Sequence, residues 1–320
     1  MIDSQLIPLN RRSLEGSFSI LRGIPTRIRR QIGPWCFFDM LKTPISEELY
    51  LNVAPHPHIG LQILSWMIEG ESIHQDSLGN QLTATKDTVN LMTAGRGIVH
   101  TEDSPQSEIT RKDAFLHLLQ LWIALPQTAE DIPPDFMSLN QKALPKLTLP
   151  NGVLTLILGE HAQLKSPLKT YSPIVALELT LNAGIHTIPL EASFEYGAYL
   201  IAGDAILSPS YNPNRPSSLV ESNDSEGEPS TLTASSLLAF TGADQLTIHV
   251  KTQCRLFIFG GEPLPESHYI WWNYVSSSPE KIREKHGAWE AEDHQSFPKI
   301  PQETRSDLIA PEIPARFIAF

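Results

Sequence analysis

Two short stretches, His56-Pro57-His58 and His100-Thr101-Glu102, each place metal-capable side chains at i and i+2 in sequence that otherwise reads as β-strand. Side chains two apart on a strand project from the same face, so each pair can grip one ion from one wall. From His58 to His100 is 42 residues, enough chain for several strands to fold back and bring the walls together. Three imidazoles and one carboxylate around a point make a site for a single transition metal ion, and iron, nickel, copper, zinc and manganese all suit that donor set. Four protein ligands on an octahedral ion leave two adjacent positions, where a chelating substrate or dioxygen can be held. Structural zinc sites are closed and usually contain cysteine. Neither Cys36 nor Cys254 lies near the quartet in sequence, which favours a catalytic or sensing centre.

An isolated histidine in a strand is more often a core or surface residue than a ligand, so the paired spacing carries this reading. His74 and Asp76 form a third i, i+2 pair, but they directly precede the turn Ser77-Leu78-Gly79-Asn80 and are read as non-ligands. His117, His161, His186, His268, His286 and His294 receive no role.

The elements that must position these side chains are strands. The chain has 26 prolines and 18 glycines with short Val, Ile, Leu and Phe runs between them. That pattern predicts an all-β fold of many short strands, a sandwich or barrel. Thr93-Ala94-Gly95-Arg96-Gly97 supplies glycines where the chain must bend tightly before the next strand. Helices are few: we expect one over 131–139 and one over 278–290, where Ser278 followed by Pro279 gives an N-cap and a first-turn proline.

The sequence also repeats itself. Residues 61–73 align with 194–206, matching Gly70 to Gly203 and Glu71 to Asp204, and Thr93-Ala94-Gly95 is echoed by Phe240-Thr241-Gly242. Two copies of one β-barrel unit are therefore expected, an N-terminal one over 1–145 and a C-terminal one over 146–320. The same offset carries His56 and His58 onto Pro189 and Glu191, and aligning Gly95 with Gly242 carries His100 and Glu102 onto Thr247 and His249. The second barrel is thus expected to bind no metal. Residues 208–236, rich in Ser, Pro, Asn and Glu, read as a polar loop inserted in that barrel.

Composition bounds the rest. A chain of 320 residues suits two domains, and a pair that size can bury roughly 75% of its unfolded surface. Two cysteines argue against a disulfide framework and fit a reducing compartment. The start, Met1-Ile2-Asp3-Ser4-Gln5, has no basic and then apolar leader pattern, and no apolar run approaches about 20 residues. A soluble, cytoplasmic monomer with no membrane contact is expected. A net charge of −12 argues against direct nucleic acid binding. Arg11, Arg12, Arg22, Arg27, Arg29 and Arg30 crowd the first strands against Glu15. They suit either a surface for an anionic partner or, the reading we favour, a sheet edge whose arginines pair with acids elsewhere.

The chain around the histidine pairs resembles the pirin family of bicupins. The resemblance is carried by Pro55-His56-Pro57-His58-Ile59-Gly60, Ile68 to Glu71, His74 to Gly79, the unbroken run Met92 to Glu102, and Leu119-Gln120-Leu121-Trp122. Arg29 to Pro34 upstream, and Gly261 to Leu264 and Ile270 to Val275 downstream, extend it over most of the chain. It implies two tandem cupin barrels (double-stranded β-helix, or jelly-roll), with iron held by His56, His58, His100 and Glu102, and His74 and Asp76 left out of the ligand set. It also implies one of two roles. One is quercetin 2,3-dioxygenase activity, in which a flavonol, a small aromatic chelator, loses a proton to Glu102 and reacts with dioxygen, with Gln120 facing the cavity. The other is non-catalytic redox sensing, in which the iron controls binding to a protein partner such as a transcription factor. A different cupin reaction, such as an isomerisation, is a third possibility. Beside the metal the chain departs from the family pattern: Ile59 stands where a basic residue is usual, Leu61 where an aromatic is usual, and Lys86 where a glycine precedes the aspartate. These changes leave the metal expected and the substrate open.

Overall fold

The computed structural model describes residues 2–13, 18–86, 88–212 and 229–320. Glu15, Asp87 and most of the expected polar loop, residues 213–228, lie outside the described residues. The chain is predominantly antiparallel β-sheet, with α-helices among the described residues only at Gln106–Thr110 and Pro279–Glu290. Neither is long and apolar enough to cross a membrane. Ser278 caps the longer helix, its hydroxyl accepting from the Lys281 amide at 3.3 Å, with Pro279 in the first turn.

The chain divides into two compact units. The first comprises Met1–Asn10, Thr26–Pro34 and Leu144–Pro263; the second comprises Arg11–Pro25, Trp35–Ala143 and Leu264–Phe320. The chain passes from the second unit to the first between residues 143 and 144, and each terminus departs from a simple division of the chain there. Asp3–Pro8 departs because it pairs antiparallel with Ser236–Thr241 as a strand of the C-terminal sheet. The C-terminal segment departs because Tyr269, Tyr274, Trp289, Phe297 and Phe317 pack with Ile59 and Val99.

In the unit built around residues 144–263, long strands Ile174–Pro189, Glu195–Ser210 and Gln245–Gly261 pair in one sheet over a core that includes Leu177, Leu200, Leu238 and Leu256. Arg29, outside any strand, pairs with Glu195 at 2.8 Å.

In the other unit, two sheets form the layers. A seven-stranded sheet runs centrally through Thr88–Thr93, Leu61–Glu69, Phe115–Ala124, Trp35–Pro44 and Ser19–Ile24. A four-stranded sheet runs Asn52–His58, Ile98–Asp103, Glu71–Asp76, Gln81–Thr85. The internal repeat is visible in the backbone: Gly70 and Gly203 both sit at φ +86°. A side chain at either would collide with a carbonyl oxygen across the sheet, of Phe115 and Gln253 respectively.

The helix expected over 131–139 is not formed. Asp135–Asn140 is a strand pairing antiparallel with Thr88–Thr93, preceded by the short 3-10 turn Gln127–Ala129. Pro133 and Pro134 explain the difference. The residue before a proline is steered out of the helical region, so the chain leaves the pair extended and completes the sheet edge.

Candidate metal centre

His56 and His58 leave one face of Asn52–His58, and across the ladder His100 stands opposite His56 and Ile98 opposite His58. Strand parity thus brings three imidazoles together, with ring centroids 4.3 Å apart for His56 and His100, 5.0 Å for His58 and His100, and 5.1 Å for His56 and His58. Their ligand atoms all lie within 4.8 Å of one another, the one such group of three or more found among the described residues. Glu102 lines the same cavity but stands outside that group. The ladder to Asn52–His58 slips by a residue between His100 and Glu102, a bulge that re-aims the carboxylate. Its Oε1 accepts from Gln120 Nε2 at 2.6 Å.

Each imidazole is held by its Nδ1. His56 Nδ1 lies 2.9 Å from the Ala54 carbonyl and His58 Nδ1 lies 3.1 Å from the Asn273 carbonyl. His100 Nδ1 meets His74 Nδ1 at 3.4 Å, and His74 Nε2 meets Asp76 Oδ2 at 3.0 Å. Asp76 is further saturated by Leu78 and Asn80 amides at 2.9 and 3.1 Å. A carboxylate only accepts, so His74 Nε2 donates to it, the His74 Nδ1 lone pair accepts, and His100 Nδ1–H is the donor. Every Nδ1–H is then spent on an acceptor, and every Nε2 presents a lone pair. The Nε2 atoms of His58 and His100 are buried with no hydrogen-bond partner.

Electrostatics point the same way. Burial pushes His56 down to about 4, and burial together with neighbouring imidazoles holds His58 and His100 well below the ordinary histidine value. All three are neutral at pH 7, the state in which imidazole binds a metal. Buried, unpartnered, convergent nitrogen donors fit a divalent transition metal. Burial also raises the Glu102 carboxyl, against the opposing pull of His74 and the Gln120 hydrogen bond.

The cavity in front of the imidazoles has a volume of about 430 Å³. Phe37 and Trp122 stack along one wall at 4.1 Å, and the Trp122 ring meets His58 edge-on at 5.1 Å. Trp272 also lines it, in the left-handed region at φ +52°, one residue before the carbonyl that holds His58. Such a conformation is costly for a bulky residue and is kept where surroundings enforce it. A larger cleft of about 610 Å³, edged by Glu292, His294, Glu303 and Asp307, has no converging imidazoles.

In the C-terminal unit Glu191 and His249 are exposed and belong to no such ligand group. Sequence reasoning gave no role at the metal centre to Arg22, Trp272 or the Asn273 carbonyl, which come to it from distant segments. It singled out His74 and Asp76 without seeing that they stand behind His100.

Comparison with known proteins adds the family context. The Pirin family profile matches residues 17–123, and that of the Pirin C-terminal cupin domain matches 176–295. A Pseudomonas aeruginosa protein named "putative quercetin 2,3-dioxygenase" is 34% identical over 97% of this chain and 90% of its own. A pirin-like protein of Caulobacter vibrioides is 30% identical over 91% of this chain and 97% of its own. Among solved structures, quercetin 2,3-dioxygenase from Acinetobacter baumannii superposes with a TM-score of 0.83 at 33% identity, covering 99% of this chain and 97% of that one.

Proposed function

The chain belongs to the pirin family, and from that premise we propose that its N-terminal cupin barrel holds one divalent transition metal, iron(II) first among them, and acts as a quercetinase-like dioxygenase on a flavonol or related aromatic chelator. His56, His58 and His100 would hold the ion through Nε2, and Glu102, which lines the same cavity, would complete the set. The observation that carries this reading is the convergence of three neutral, buried imidazoles on one side of an aromatic-walled cavity. The names of the Pseudomonas and Acinetobacter relatives support the choice of reaction. The metal, when bound, supplies a Lewis acid at which an oxygen chelate and dioxygen can be brought side by side.

The chain's own groups do the rest. The Phe37 and Trp122 wall and Trp272 accept a flat aromatic and exclude water. Glu102 takes the hydroxyl proton of the incoming chelator, and its raised proton affinity in the buried site suits that task. Gln120 holds the carboxylate in place for the transfer. A cytoplasmic location belongs to the same reading. Oxygen uptake by iron-loaded protein, screened over flavonols and catechols, tests it; full iron with no uptake on any of them contradicts it.

A further inference from the structure

Arg22 lines the same cavity as the three imidazoles, and its setting differs from that of a surface arginine. Its Nε and Nη2 each donate to Asp39, to Oδ1 and Oδ2 at 2.8 Å, and its guanidinium lies 3.9 Å over the Phe37 ring. Asp39 is 3% exposed. The group is therefore locked on one edge and one face, in the geometry that makes arginine a rigid two-pronged donor. Among the described residues Nη1 makes no hydrogen bond, so its two N–H groups and the outer N–H of Nη2 remain available.

The sheet fixes where this fork stands relative to the metal centre. In register, Arg22 pairs with Asp39 and Asp39 pairs with Gln120, and Gln120 is the residue that holds Glu102. Arg22 is thus two strands from Gln120, roughly 10 Å at the usual inter-strand spacing. An unbroken aromatic wall joins the two ends: His58 against Trp122, Trp122 on Phe37, Phe37 under Arg22.

Resting on the chelation reading above, we infer that the substrate is an aromatic chelator with an anionic group at the end away from the metal, and that Arg22 receives that anion. The wall between the two polar ends accepts the ring system. A neutral chelator leaves the outer N–H groups of Arg22 without an acceptor from the ligand, whereas a carboxylate takes two charge-assisted hydrogen bonds from them. Arg22 is then the residue that selects among chelators.

Caffeate and its methyl ester test this, since they share the catechol and the ring and differ in the carboxylate. Cobalt(II)-loaded protein, kept anaerobic, reports chelation through its ligand-field absorption, and titration gives each affinity. Caffeate should bind about tenfold or more tightly than the ester, as a charge-assisted pair allows, and the gap should shrink with added salt. Arg22→Met should bring caffeate down to the ester's affinity. Because that variant leaves Asp39 buried without its partner, the neutral pair Arg22→Gln with Asp39→Asn provides the same test in a fold that keeps a hydrogen-bonded couple. Equal affinities in the wild type, or a gap that survives in both variants, overturns the inference while leaving chelation intact. No spectral response to either ligand contradicts the chelation reading itself, and this inference with it.

Discussion

Gln120 reaches across from the seven-stranded sheet to donate to Glu102, on the four-stranded sheet, at 2.6 Å. The contact ties the Glu102 carboxylate, which lines the cavity of the three imidazoles, to the facing sheet, and it makes Glu102 the group whose chemistry can be isolated. Glu102→Gln keeps an oxygen able to coordinate but cannot take a proton. That variant should retain metal and lose turnover by about 100-fold or more. Equal oxygen uptake by variant and wild type would keep the enzyme and remove Glu102 as its base.

Asp76 sets the tautomer of His100 through His74. In Asp76→Asn the amide can donate to His74 Nε2, which moves the His74 proton to Nδ1 and reverses the chain. His100 Nδ1 then becomes the acceptor, its Nε2 carries the proton, and the lone pair facing the other imidazoles is lost. Metal affinity, measured by competition with a chelator, should fall roughly 10- to 100-fold, the range for residues that orient ligands. Unchanged affinity would show that His100 is oriented by something else.

Much of this site was legible because strand parity is strict: two residues apart means one face, and so His56, His58 and His100 had to share a wall once the pairing His56 to His100 formed. The bulge after His100 was not legible, since register slips depend on the whole ladder, and so the exact placing of Glu102 was not either. The helix expected over 131–139 gives way to the strand Asp135–Asn140 because that strand's partner, Thr88–Thr93, lies far back in sequence. Backbone groups leave no mark in a sequence, which hid the Asn273 carbonyl behind His58. Arg22 was seen only as one of a basic cluster, because its partner Asp39 is fixed by sheet register and not by proximity along the chain.

Metal-free protein should lose stability as pH falls from about 6.5 toward about 4. His56 titrates at about 4 in the fold against an ordinary 6.5, and His58 and His100 are lowered as well. Within that window the unfolded chain binds protons that the folded chain refuses, so the stabilisation is complete above the ordinary value and drains away as pH falls through the folded one. Thermal unfolding across the window should show a falling midpoint. A flat profile would mean the three rings are not buried and neutral.

Gly60 follows the first ligand pair at φ +67°, and a Cβ there would collide with the Val275 carbonyl oxygen. Gly60→Ala should destabilise this unit by about 2 kcal/mol or more, from backbone strain plus the clash. Denaturant titration reads it directly; a loss below about 0.5 kcal/mol, the scale of an ordinary surface change, would contradict the close approach.

Elemental analysis of the purified protein and two double variants bears most directly on the metal centre. The wild type should carry one transition metal ion per chain. His58→Ala with His100→Ala should carry none while keeping its fold, and Glu191→Ala with His249→Ala should match the wild type, since those exposed side chains belong to no ligand group. Full occupancy in the His58 and His100 variant, or loss of the ion from the other, would contradict the assignment.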